Sequence, residues 1–341
     1  MKLFKSKEKL SESESVYLAD IEQKIKAYKA KGYRVPTRKM IKTAAQIKGI
    51  RRSAAINTAV LDLVAAHIHE GMTTEEIDTL VYNFTIAHGA IPAPLNYEGF
   101  PKSVCTSVND EVCHGIPSKD VVLRNGDIIN VDVSTILDGY FSDASRMFMI
   151  GKVSPEMQRL VQVARECLEA GLQAARPWGF LGDIGAAVQE HAEGNGYSVV
   201  REFGGHGVGL KFHEDPFVSH VGRRGTGVLL VPGMVFTIEP MINMGSRKIF
   251  IDADNDWTVL TDDGMPSAQW EYTVLITDTG AEITDYFFRT VYNMTGSVFC
   301  QFLTGTEAPA DADGSDATAP GCLHIYPRIS DIQRIRRSYS G

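Results

Sequence analysis

The chain has 341 residues, 44% hydrophobic and 22% charged, enough apolar material for one large core or two modest ones, which excludes a disordered or fibrous protein. With 34 Lys and Arg against 42 Asp and Glu the formal charge is −8, so DNA is not expected as a partner and only a local basic patch stays open. Cys105, Cys113, Cys167, Cys300 and Cys322 are odd in number and hold no C-x-x-C pair, which argues against a disulfide framework or zinc ribbon and for a reducing, cytoplasmic setting.

Residues 1–40 open basic, with no apolar stretch behind the first lysines, and no run of about 18 apolar residues follows anywhere to span a membrane. The sequons at Asn83 and Asn293 are therefore read as chance matches. A helical look through Leu18 to Gly32, ending before Pro36, makes this segment a basic helical extension. From Ile41 the positions Ala44, Ala45, Ile50, Ala54, Ala59, Val60, Leu63 and Val64 recur at three- and four-residue steps, the spacing of one buried helix face. Gly71 closes that run. Thr73 with Glu76 forms a capping box for a second helix reaching Gly89. The plan recurs with Ser154 as N-cap, Pro155 at the first helical position, and a further helix from about Asp183 to Gly194. Between and after these pairs lie β-branched stretches bounded by Gly and Asp, so two helix pairs each followed by strands predict an internal structural duplication in an α/β chain. From Asp285 the composition shifts to an Ala/Asp/Gly/Pro-rich stretch that cannot bury a core, and 285–341 is read as a tail of unknown role.

The chemistry concentrates around Asp138-Gly139, a two-residue hairpin signal between β-rich runs. That turn places Leu137 opposite Tyr140 and Asp132 opposite Ser145, so Asp143 shares a face with Asp132 at a diagonal position, within mutual reach of the two side chains. Carboxylates among Val131, Val133, Met147 and Met149 repel one another unless they point to solvent or share a cation. Glu239, before Pro240, and Glu271, in "SAQWEYTVLIT", add two acids inside β-like runs, where charge is unusual. His206, His213 and His114 each lie near glycine, which leaves room for a substrate. Such a set of acids with one imidazole suits a pair of divalent ions, and with them a hydrolase.

The segments "NYEGFPKSVCTSVNDEVCHGIPS", "GDIINVDVSTILDGYFSDASRMFMIG", "FGGHGVGLKFHEDP", "FTIEPMI" and "SAQWEYTVLIT", in this order over about residues 41–284, resemble the type I methionine aminopeptidases. The resemblance implies the pita-bread α/β (α+β) fold, a curved antiparallel sheet flanked by two pseudo-two-fold related helix pairs. It implies Asp132, Asp143, His206, Glu239 and Glu271 as ligands of two divalent ions (Co, Mn, Fe or Zn), with Glu239 also the proton shuttle. His114 would act as acid or stabiliser near the scissile amide and His213 would contact the substrate carbonyl. Tyr97, Phe100, Cys105, Phe212 and Trp257 would line an apolar, sulfur-tolerant pocket for a methionine side chain. The implied substrate is the initiator methionine of nascent polypeptides with a small second residue, and the implied enzyme a monomer. The short spacing from His206 to Glu239 leaves no room for the helical insertion of the type II enzymes. Tyr272 stands where the family usually has His, and Pro94 and Phe100 where Cys and Tyr are common. The basic extension could contact the ribosome.

Three other readings stand beside this one: a prolidase or aminopeptidase P relative, which would ordinarily carry a large N-terminal domain; a non-enzymatic binding module of the same fold, which would ordinarily lose ligands; and a mononuclear iron site, which would leave the acids unexplained. His67 and His69, two apart on a helix, diverge by about 200° and are expected at the surface. "GFLGDIGAA" lacks a preceding strand, so no dinucleotide site is expected. Cys105 and Cys113, with no base and orienter beside them, are read as packing or pocket residues rather than nucleophiles.

Overall fold

The computed structural model describes residues 12–284, 290–292 and 298–300. The chain divides into two compact units, Met1–Phe287 and Phe288–Gly341. Of the second unit the described part is an antiparallel pair, Thr290–Tyr292 with Val298–Cys300; the low-complexity stretch read in the tail lies outside the described residues.

In the first unit, helix α1 (Glu12–Ala30) turns Ile21 and Ile25, one turn apart, into a buried cluster with Met40, Ile41, Val228 and Leu229. Helix α2 (Ala44–His67) begins at Thr43, whose side chain accepts from the Gln46 amide while Gln46 caps back. Ile41, expected inside that helix, instead pairs as an isolated antiparallel bridge with Met234, because the capping box fixes the helix start beyond it. Helix α3 (Thr74–Ala87) has the Thr73–Glu76 capping box read from the sequence. Strands β1 (Ile91–Pro92), β2 (Cys105–Val108) and β3 (Glu111–Cys113) lead to the long hairpin of β4 (Ile128–Leu137) and β5 (Tyr140–Met149). Asp138 and Gly139 at its tip both take positive φ, 51° and 78°, as a two-residue turn of matching twist requires.

Helix α4 (Pro155–Ala174) starts with Ser154 Oγ accepting the Met157 amide. Helix α5 (Leu181–Gly194) starts two residues before the expected Asp183, because the Asp183 carboxylate caps the Phe180 amide from the third helical position. Strands β6 (Ser198–Val199), β7 (Gly205–Gly207), β8 (Glu214–Val218), β9 (Val235–Ile238), β10 (Met241–Asn243), β11 (Ile249–Ile251), β12 (Val259–Thr261), β13 (Ser267–Gln269), β14 (Tyr272–Ile276) and β15 (Ala281–Ile283) complete the unit.

One sheet has the order β1-β4-β2 with β5 on the other edge of β4, and a second runs β15-β14-β9-β7-β8. The bridge between Ser145 and Glu271 joins them, and every pairing is antiparallel. Helices α2 and α3 cover the first sheet, packing Val60, Leu61, Val64, Ile77 and Val81 on Ile129, Val131 and Val133. Helices α4 and α5 cover the later strands, with Leu160, Val163, Cys167 and Val188 beside Ile242 and Ala268, and Leu168 and Ile184 beside Phe236 and Ile238. Each Val, Leu, Ile or Phe side chain so removed from water contributes about 1.5–3 kcal/mol. Gly49 lets α2 lie directly on the hairpin, since a Cβ there would overlap the Tyr140 ring. The expected duplication of helix pairs is present, and its two sheets meet where Glu271 crosses Ser145.

Candidate active site

The β4–β5 ladder places Asp132 opposite Ser145 and Ser134 opposite Asp143, the register read from the turn. Asp132 and Ser134 share a face because side chains alternate along a strand. Ser134 Oγ donates to Asp143 Oδ1 at 2.7 Å. Asp143 is also tied through its backbone, since its amide donates to Thr273 Oγ1 at 3.3 Å and that hydroxyl donates to its carbonyl at 2.6 Å. Two residues before Thr273, Glu271 donates its amide to the Ser145 carbonyl at 3.3 Å. One ligand atom each from Asp143, His206 and Glu271 lies within 4.8 Å of the others.

His206 sits on β7 between two glycines, and a Cβ on Gly205 or Gly207 would strike the Thr237 or Asp215 carbonyl, so only glycine permits this approach. Its Nδ1 lies 3.0 Å from the Gly207 carbonyl, an acceptor, which places a proton on Nδ1 and turns Nε2 inward. Nε2 is 3.6 Å from Asp143 Oδ2 and 3.7 Å from Glu239 Oε1. Thr237, two residues before Glu239 on β9, accepts the His206 amide at 2.9 Å and donates to Glu239 Oε1 at 2.6 Å. Gln269 Nε2 donates to Glu239 Oε2 at 3.2 Å, and His220 Nε2 accepts the Glu239 amide at 3.1 Å.

The electrostatics are those of crowded acids. Burial first, then the nearby Asp143 and Glu239, hold the Asp132 carboxyl well above the usual range. Burial pushes Glu239 up to about 7 against the opposing pull of His206. His206 rises to about 9, because contacts with Asp143 and Glu239 outweigh the lowering effect of its burial. Asp132 Oδ1 is shielded from solvent and has no hydrogen-bond donor, a costly state for a buried oxygen. A divalent cation would resolve each of these strains at once: it neutralises the acids, takes the place of the Nε2 proton of His206 and satisfies that oxygen. Four carboxylates and one imidazole are hard oxygen and nitrogen donors suited to such an ion.

Aromatic side chains stand in two groups around these acids. In one, the Tyr97 ring is 4.9 Å from Phe212, the His213 ring is 4.2 Å from His206, and Tyr97 Oη lies 3.0 Å from His213 Nδ1. In the other, Phe100 is edge-on to Trp257 at 5.2 Å, Trp257 to His114 at 6.2 Å and His114 to Phe203 at 5.5 Å. Cys105 lies buried across the ladder from Asp132. Burial lowers His114 to about 4; burial and then the His206 charge lower His213 to about 4. Both imidazoles are neutral near pH 7. The thiols of Cys105 and Cys113 are pushed well up by burial and neighbouring acids, the opposite of a nucleophile's requirement.

The structure thus brings Asp143, His206 and Glu271 together with Glu239 at the same imidazole, places Asp132 and Cys105 opposite one another across the β2–β4 pairing, and sorts the expected wall residues into the Tyr97–Phe212–His213 and Phe100–Trp257–His114 groups. Phe203, Thr237, Gln269 and His220 were missed. Thr237 and Gln269 were discoverable, because each stands two residues before an acid on a strand and so shares its face. Tyr272, next to Glu271, alternates to the opposite side and packs on the cluster of Phe236, Ile238 and Val274, while the Pro94 carbonyl accepts the Tyr97 amide at 2.9 Å and shapes the turn carrying that ring. His67 and His69 are exposed and bond to local carbonyls, as expected. The Gly182 and Gly185 backbones are pressed against the carbonyls of Arg223, Ser219 and Val221, a packing role. Among the described residues no helix is long and apolar enough to cross a membrane.

The family model of metallopeptidase family M24 matches residues 48–278. Methionine aminopeptidase A of Synechocystis sp. is 50% identical over 238 residues, 70% of this chain and 94% of its own length. The methionine aminopeptidase of Rickettsia prowazekii is 47% identical over 234 residues, 69% of this chain and 90% of its own. Its crystal structure superposes with a TM-score of 0.71 at 46% identity, covering 72% of this chain and 99% of that one. Prolidase from Pyrococcus furiosus, 23% identical with a TM-score of 0.58 over 73% of this chain and 66% of its own, shares the pita-bread fold alone. With its acids and imidazole gathered as a divalent-metal site, the chain belongs to metallopeptidase family M24 and, within it, to the methionine aminopeptidases, metal-dependent exopeptidases.

Proposed function

We propose that the chain removes the initiator methionine from nascent polypeptides whose second residue is small, using two divalent ions held by Asp132, Asp143, His206, Glu239 and Glu271. The observation that carries this is the meeting of Asp143, His206 and Glu271 within 4.8 Å, with Glu239 on the same imidazole. Ions bound there lower the pKa of a water and polarise the scissile carbonyl.

The remaining work falls to side chains. Glu239, fixed at both oxygens by Thr237 and Gln269, takes the proton of the attacking water and returns it to the departing amine. With the Tyr97 hydroxyl donating to its Nδ1, 3.0 Å away, a neutral His213 carries its proton on Nε2 and serves as donor to the substrate carbonyl. Neutral His114 offers a hydrogen bond at the scissile amide. Tyr97, Phe100, Cys105, Phe212 and Trp257 receive the methionine side chain, whose polarisable sulfur favours aromatic edges. The catalytic domain is taken as 41–284 and the setting as cytoplasmic; a ribosome contact through basic residues of 1–40 is a secondary reading from their charge.

The test is methionine release from Met-Gly-Met-Met and Met-Leu-Met-Met by metal-stripped protein with Mn, Co, Fe or Zn restored in turn. Metal-dependent release from the first peptide alone is expected. No release with any metal, from folded protein, would overturn the activity in favour of a binding module, and release from both would overturn the small-second-residue rule.

A further inference from the structure

The loop between β7 and β8 presents Phe212 and His213, and its underside is built around one buried ion pair. Glu214 Oε1 accepts the amides of Leu210 and Lys211 at 2.6 and 3.0 Å. Its other oxygen meets Lys42 Nζ at 2.6 Å, and the two side chains are only 1% and 12% exposed. Lys42 is itself fixed from behind, its amide donating to the Gly233 carbonyl at 2.8 Å and its ammonium reaching the Lys39 carbonyl at 3.4 Å. The loop's other end is held by the Phe141 amide, which donates to the Gly209 carbonyl at 2.9 Å. Gly209 has φ of +134°, and a Cβ there would overlap Ile50, so the loop has no slack toward α2.

A lysine so deeply buried is rare without a defined partner, and carrying the charge inside is no general route to stability, since an apolar pair of similar volume often serves as well. What the charge supplies here is direction: an ammonium fixes the carboxylate that ties two successive loop amides. We infer that Lys42 is a positioning residue for substrate binding, holding the Leu210–Glu214 turn through Glu214 so that His213 and Phe212 meet the substrate. This rests on the proposed roles of His213 and Phe212. Lys42 lies ahead of the segment matched by the family model, residues 48–278, so the substrate wall would depend on chain preceding that segment.

The test uses the full chain with Lys42→Met, Glu214→Gln and the double variant, read by peptide kinetics, metal titration and amide hydrogen exchange over residues 209–214. The expected result for Lys42→Met is a KM for Met-Gly-Met-Met raised about tenfold, with kcat within about threefold, since a misplaced contact loop weakens substrate positioning. Metal stoichiometry stays unchanged, exchange at Leu210 and Lys211 accelerates at least about tenfold, and the double variant is no worse than the Lys42 single. Unchanged exchange, an unchanged KM in active protein, or metal binding lost in parallel would each overturn the inference. If the wild type releases no methionine, the proposed activity fails; the exchange arm still decides whether Lys42 orders the loop, and the inferred substrate role falls with the activity.

Discussion

The floor and the wall of the site are built by different means. Asp132, Asp143, Glu271 and His206 stand on or beside paired strands, and the ladder that pairs Asp132 with Ser145 and Ser134 with Asp143 sets the acids close before any ion binds. Tyr97, Phe212, His213 and Trp257 stand on loops and turns, oriented by ring contacts and by side-chain caps such as Asn255 Oδ1 accepting the Trp257 amide at 2.9 Å. Mutually repelling carboxylates need a frame that hydrogen bonding makes stiff, whereas an apolar side chain is accommodated by rings that can tilt. Damage to the floor is therefore expected to remove metal and chemistry together, and damage to the wall to change substrate affinity with metal retained.

The largest effect is expected at the point where the two sheets share a ligand. Asp143→Asn lowers metal affinity by at least about 100-fold, more than loss of an outer-shell partner usually does, and brings methionine release below detection; calorimetric titration beside a peptide assay checks both, and unchanged turnover would break the assignment of the floor. Thr237→Val removes the hydroxyl that joins the His206 amide to the Glu239 carboxylate and weakens metal binding about 10–100-fold. A KM change with intact metal affinity would instead move Thr237 to the wall.

A half-buried acid away from the floor gives a control. Glu111, capping the Val108 amide at 2.7 Å, is raised from 4.5 to about 7, first by burial and then by Asp110 and Asp252. Its native form favours the proton, so its contribution is fully present below pH 4.5 and is lost as pH rises to about 7. Denaturant melts of the metal-free chain from pH 4.5 to 7.5 should show Glu111→Gln gaining stability relative to wild type across that window; a pH-independent difference would contradict the shift. The smallest effect is expected at the wall. Cys105→Ser raises KM about two- to fivefold with kcat and metal content little changed, as loss of one apolar pocket contact predicts, and steady-state kinetics with metal analysis decides it.

Local chemistry made much of this legible. The Asp138-Gly139 turn fixes the hairpin register because a two-residue loop admits one pairing, and register alone puts Asp132 and Asp143 on one face. The capping box at Thr73 and the N-cap at Ser154 set helix starts within a residue. The places where the reading slipped share a cause: Ile41 looks helical by spacing, but its partner Met234 is far away in the chain. His220 carries no local signal, since its role is to accept the Glu239 amide across two segments. Phe203 gives none either.

The sequence by itself determined the helix pairs and the hairpin that sets Asp132 and Asp143 on one face, because capping, turn geometry and strand alternation act within a few residues; the set of five donors was implied by the family resemblance. Only the tertiary structure decided that Ser145 crosses Glu271, that Thr237 links His206 to Glu239, and that Lys42 stands beneath the loop of His213. Apart from the short step from Thr237 to Glu239, those contacts join residues 31 to 172 positions apart, and no local propensity specifies which distant backbone will supply a partner. They are chosen when the sheets close on one another and each buried polar group must find its hydrogen bond.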